Sequence, residues 1–227
     1  MSSLAWAGST TVVVGQGGAG DTYTDLTFFW RCESDTLGDD DYSAGDTTGA
    51  ANSGVIFSTD AVKYGTNGLE APTSNDYYSF DVASIFDATS GRVGFWFYMY
   101  SEPWNDNAAL WGIDGAEDMS LSTYGGDELR VSWAGTKWTS DGALLVRATW
   151  YFIEMAWNTD TELMNVKVDN ADIINSTATA FAPLDTPATM FIGSWQGGYD
   201  FYIDNFMVSN DPTRSLYALK DLTASPK

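Results

Sequence analysis

Residues 92–100, Arg-Val-Gly-Phe-Trp-Phe-Tyr-Met-Tyr, alternate strictly: Val93, Phe95, Phe97 and Met99 fall on one side, and Trp96, Tyr98 and Tyr100 on the other. A period of two is that of a β-strand, because a helix would scatter the same side chains around its circumference. Weaker runs of the same chemistry lie at 26–32, 77–82, 109–113, 128–133, 150–157, 164–168, 189–195 and 200–208. Between them stand turn formers: Gly125-Gly126-Asp127, Asn158-Thr-Asp-Thr161 and Gln196-Gly-Gly198. No segment carries a long helical period with caps. Strands at this spacing indicate an all-β fold, a sandwich or a barrel. The tail 216–227 reads as a short helical turn or a surface run.

The chain has 227 residues, which a single β-sandwich accommodates, and 15% of them are aromatic, a class that favours strands and buries large areas. Residues 1–25 are small and polar apart from a β-branched run ending at Val14, and the stretch Gly15-Gln-Gly-Gly-Ala-Gly20 follows. That stretch lacks the Lys-Ser/Thr ending of a phosphate loop, so it reads as a hinge behind an N-terminal arm or leading strand. The expected organisation is an arm over 1–25 and one domain over 26–227.

Absences narrow the function. With 31 acidic against 10 basic residues the net charge is −21, which repels nucleic acid. Histidine is absent, which removes Ser–His and Cys–His nucleophile pairs and the commonest transition-metal ligand. The single cysteine, Cys32, lies in an apolar run and reads as a buried thiol. No stretch approaches the roughly 18 apolar residues that cross a membrane. The start, Met1-Ser-Ser-Leu-Ala-Trp-Ala-Gly8, has neither a basic region nor a long apolar one. Synthesis in the cytoplasm, with release by particle assembly or lysis to a virion or extracellular surface, is the corresponding expectation.

Several segments, in order, resemble one family. The strand 92–100 with the following Ser-Glu-Pro103 is similar to a strand of laminin-G-like domains. Trp150-Tyr-Phe-Ile-Glu-Met-Ala-Trp157 and Met164-Asn-Val-Lys-Val-Asp-Asn170 resemble the family's next hairpin. Met190-Phe-Ile-Gly-Ser194, Gly197-Gly-Tyr-Asp200 and Phe201-Tyr-Ile-Asp-Asn-Phe-Met-Val-Ser209 resemble its ending, and Phe29-Trp-Arg-Cys-Glu-Ser-Asp35 with Tyr64-Gly-Thr-Asn-Gly-Leu69 its opening. The likeness spans residues 26–210 and implies a concanavalin A-like (LamG-like) jelly roll, a fold of lectin, adhesion and carbohydrate-binding modules and of some viral structural proteins.

The resemblance also implies a structural Ca²⁺ between the acidic opening and the closing strand, at Glu33 and Asp204, with Asn67 or carbonyls of its loop as further oxygen ligands. The acidic segment 35–46 does not have EF-hand spacing and reads as a solvated loop.

For function, the leading expectation is a non-catalytic binding or adhesion module that takes a glycan or surface polysaccharide. Aromatic rings pack on the apolar face of a sugar while polar groups take its hydroxyls. The candidates are Tyr98, Trp104, Trp111, Trp133 and Trp195, with Trp104 and Trp195 in turn-rich sequence. The alternative is a virion structural protein, a capsid decoration or fibre subunit, assembling with copies of itself or other capsid subunits through residues 1–25. A glycoside hydrolase or polysaccharide lyase comes third: Glu117-Asp118 and Glu154-Met-Ala-Trp157 lack the spacing of a paired-carboxylate site. No catalytic residue, nucleic-acid partner or membrane insertion is expected.

Overall fold

The computed structural model describes residues 12–14, 21–23, 26–34, 42–43, 49–52, 54–73, 75–82, 85–100, 108–113, 119–125, 127–142, 144–177, 179–184, 187–194 and 201–221. Their strands, in chain order, are β1 Val12–Val14, β2 Asp21–Tyr23, β3 Leu26–Trp30, β4 Tyr42–Ser43, β5 Gly49–Asn52, β6 Ile56–Ser58, β7 Gly68–Ala71, β8 Tyr77–Asp81 and β9 Ser90–Met99. There follow β10 Ala109–Ile113, β11 Met119–Tyr124, β12 Glu128–Trp133, β13 Thr136–Thr139, β14 Trp150–Asn158, β15 Leu163–Val168, β16 Ala171–Ser176, β17 Thr189–Gly193 and β18 Phe201–Ser209, and then a 3-10 turn, Tyr217–Leu219. Every run expected from sequence carries a strand, and the helical turn lies within the expected tail. Of the residues proposed as an arm, β1 and β2 pair as an antiparallel ribbon. The Gly-rich stretch lies outside the described residues, as does most of the acidic segment 35–46.

Two sheets form the sandwich. One runs β13-β12-β11-β10-β17-β8-β5. The other runs β16-β15-β14-β9-β18-β3-β4, with β6 and β7 also on the β18 side. Every pairing is antiparallel, for example β9 with β14 and β18 with β9. The alternation in 92–100 has its expected effect: Val93, Phe95, Phe97 and Met99 enter the core between the sheets, while Trp96 joins a second cluster on the outer side of its sheet.

The long strand β18 makes the edge arrangement possible. Its first half pairs with β7 and its second half with β3. Between the halves sits a β-bulge, where the register with β9 shifts between Asp204 and Met207 and Asn205 takes a left-handed φ of 49°. An extra residue in one strand preserves the inward side chains on both sides of the bulge. Accordingly Phe201 and Ile203 point to the core before it and Phe206 and Val208 after it.

After β18 the chain crosses back over the outer face of the second sheet. Leu216 and Leu219, each 1% exposed, cover Leu26, Phe29, Trp96, Phe152 and Met207. Beneath this tail lies a buried ion pair. Arg92 Nη1 stands 3.1 Å from Glu154 Oε1, with side chains 6% and 1% exposed. Glu154 also accepts from Ser215 Oγ and from the Leu216 amide, and Arg92 Nη2 donates to the Pro212 carbonyl at 2.6 Å. Further along, the Lys220 carbonyl accepts from Trp96 Nε1 at 2.7 Å. Charges removed from water persist only when paired and hydrogen-bonded, and here the tail supplies further bonds to both partners.

Candidate functional site

Beyond the residues covered by Leu216 and Leu219, the outer face of the second sheet carries a row of aromatic side chains. Trp150 on β14 stands opposite Tyr98 on β9, Tyr98 opposite Tyr202 on β18, Tyr202 opposite Glu70 on β7, and Glu70 opposite Ile56 on β6. Strand alternation sets all five on one face, because their neighbours Phe97, Met99, Phe201, Ile203, Leu69 and Ala71 fill the core. Tyr100 joins from the end of β9.

The rings of this row brace one another. Tyr98 and Tyr202 are nearly parallel, with centroids 5.4 Å apart and planes 7° apart. Trp150 lies 5.2 Å from Tyr98 and Tyr100 lies 5.8 Å from Tyr202. Tyr202 is held between neighbours at 6% exposure and acts as the support. Tyr98 and Trp150 are half-buried, and Tyr100 is 58% exposed. A ring fixed by its neighbours presents apolar surface without rotamer freedom left to lose on binding.

Of the five aromatics expected to meet a ligand, Tyr98 is in this row. Trp111 and Trp133 are not available as platforms: at 1% and 0% exposure they are core side chains. Both rings pack near Trp157, at 6.2 Å and 6.1 Å, and Trp133 Nε1 donates to the Ala182 carbonyl at 2.7 Å. Trp104 and Trp195 lie outside the described residues. The positions that sequence reasoning did not select are Trp150, Tyr202, Tyr100 and Glu70. Alternation in 92–100 already put Tyr100 on the side of Tyr98; the other three depend on inter-strand register.

Glu33, Asn67 and Asp204 do converge, around the loop 61–67. Asp204 leaves the bulge of β18 with 0% exposure and accepts from the amides of Lys63 and Tyr64, both at 2.8 Å, and from that of Asn205. Glu33 accepts from the amides of Thr66 and Asn67, both at 2.9 Å, and Asn67 Nδ2 donates to the Glu33 carbonyl. Glu33 also packs against Gly65, whose φ is +81°; a Cβ there would sit 1.6 Å from Glu33 Oε1. Burial pushes the Asp204 carboxyl up to about 7, against the downward pull of its three amide donors.

A calcium cage surrounds its ion with six to eight oxygens. Here both carboxylates face backbone N–H groups, and among the described residues no three His, Cys, Asp or Glu side chains group as metal ligands. The arrangement fits a clamp that secures the loop through amide dipoles. We expect the melting temperature to be the same in millimolar calcium and in chelator, read by differential scanning calorimetry. A calcium-dependent rise of several degrees would show that the ion displaces those amides.

The hydrolase alternative gains no site among the described residues. Glu154 is committed to Arg92 under the tail, and Glu117-Asp118 lie outside the described residues.

A scan against protein-family models matches none, and no curated protein matches. Solved structures do. The receptor-binding domain of botulinum neurotoxin type G superposes with a TM-score of 0.65 at 11% identity, covering 89% of this chain and 54% of its own. The ligand-binding domain of serotype D, in complex with N-acetylneuraminic acid, gives 0.66 at 11% identity over 86% of this chain and 49% of its own. A type C structure, from a toxin whose cell entry depends on interaction with two ganglioside molecules, gives 0.65 at 9% identity, covering 84% of this chain and 49% of its own. This chain therefore spans about half the length of each. At these identities the likeness is one of fold: the chain adopts the concanavalin A-like, laminin-G-like jelly roll found in the botulinum neurotoxin receptor-binding domains.

Proposed function

We propose that this domain is a non-catalytic glycan-binding module, and that its ligand packs on the aromatic row of Tyr98, Trp150 and Tyr100 with Tyr202 beneath. The observation that carries the reading is Tyr100: a ring 58% exposed at the edge of a braced stack. Exposed aromatic surface held rigid and beside a carboxylate suits a sugar, which offers apolar C–H groups and hydroxyls together. The resembling structures are receptor-binding domains, one of them holding a sialic acid, which supports a sugar ligand as the first class to test. Such a module acts at the surface of a cell or particle, where glycans are displayed.

A glycan array identifies the ligand, and titration of Tyr100→Ala against it tests the site. Loss of one stacking ring, about 0.5–1.5 kcal/mol beyond area, weakens affinity by up to about tenfold. Thermal stability changes little, since the ring is largely exposed. Undiminished binding by Tyr100→Ala would move the site elsewhere, and an array with no bound glycan would end the reading.

A further inference from the structure

We infer that the row accepts neutral oligosaccharides and discriminates against carboxylated ones such as sialosides. The inference rests on the glycan reading above and specifies its ligand class. Its basis is Glu70, which stands directly opposite Tyr202 in the β7–β18 ladder and on the same face as the rings. Two strand spacings, about 10 Å, separate it from the backbone of Tyr98, so a ligand lying along the row reaches it. On its far side is Ile56, 48% exposed, which extends apolar surface past the carboxylate.

An ionised carboxylate accepts hydrogen bonds and donates none. It meets the vicinal hydroxyls of a neutral sugar with favourable, charge-assisted bonds. A sugar carboxylate at the same place suffers like-charge repulsion, which is stronger near a protein surface than in bulk water. The net charge of −21 adds a longer-range barrier to anions that salt weakens.

Lys63 and Lys220 lie 4.5 Å and 5.8 Å from the centroid of Trp96, on the tail side of the face, and Lys220 is bonded to Asp221. Arg147 adjoins Ala148, whose amide donates to the Met99 carbonyl at 3.0 Å, at the Tyr100 end of the row. A sialoside whose terminal sugar lies over β7 therefore meets Glu70 at close range.

The test uses the intact chain and pairs of glycans with the same core, with and without terminal sialic acid, titrated at low and at physiological salt. Neutral members bind about tenfold tighter or more, and the gap shrinks with salt. In Glu70→Gln, with melting checked against the parent, the gap falls below about threefold because the repulsion is gone while an amide still bonds hydroxyls. Sialosides binding as well as, or better than, their neutral cores would overturn the inference and leave glycan binding standing. A preference for neutral cores that persists unchanged in Glu70→Gln would also overturn it. Binding to neither member of any pair would instead remove the function on which it rests.

Discussion

Glu154→Ala lowers the unfolding free energy by about 3–5 kcal/mol, the range for breaking one partner of a buried ion pair. Glu154 is 1% exposed and holds three groups: Arg92, the Ser215 hydroxyl and the Leu216 amide. Alanine leaves Arg92, 5% exposed, with an uncompensated charge in the sheet face. It also releases the tail, whose Leu216 and Leu219 cover Trp96, Phe152 and Met207. Urea unfolding reads the loss, and binding of a hydrophobic dye reads the uncovered patch. A double change of Arg92 and Glu154 to methionine lies far closer to the parent than Glu154→Ala alone, because the penalty comes chiefly from the orphaned charge. A loss under about 1 kcal/mol for Glu154→Ala would mean that water reaches the pair.

Trp133→Ala costs about 3–5 kcal/mol of stability and leaves the glycan affinity of the folded protein intact. Its ring is 0% exposed, packs on Trp157 and lies 5.0 Å from Phe181 in an edge-on contact. Alanine opens a cavity among rings that cannot collapse together, and it strips the Ala182 carbonyl of its indole donor. Denaturant unfolding measures the first part and titration with the array-identified glycan the second. A Trp133→Ala protein that is fully stable and has lost binding would contradict the burial that makes this ring a core residue. The contrast with Tyr100→Ala, stable but weakened in binding, separates the two aromatic populations of this chain.

Those populations look alike in sequence. Trp111, Trp133 and Tyr98 all sit in strand-forming runs, and each run presents two faces. Periodicity assigns residues to the same or opposite faces but does not say what covers each face. For β9, inward Phe95 and Phe97 meet the other sheet, while outward Trp96 is covered by a tail more than a hundred residues later in the chain. Outward Tyr98, two residues on, is only half-buried.

Strands without a strong apolar signature were equally hard to read. In β11, Met119 and Leu121 point inward and Ser120 and Ser122 alternate with them, yet serine favours turns as readily as strands. In β7, Gly68–Ala71 is a strand because β18 and β6 pair with it, a reason that lies outside its own residues.

The acidic trio illustrates the same division. Likeness to known jelly rolls located Glu33, Asn67 and Asp204, and the fold does gather them at one loop. There the bulge at Asn205 and the tight turn at Gly65 aim backbone amides at both carboxylates, a feature of the loop's fold that the sequence does not display.

By itself, then, the sequence determined the element type and the two faces of each strong strand, because a strand's period is a local property of consecutive residues. It also excluded histidine chemistry, which depends only on composition. Only the tertiary structure decided which aromatics are buried and that Tyr202 and Glu70 stand beside Tyr98. Exposure and cross-strand neighbours are set by segments far apart in the chain, through register and packing that no local pattern encodes.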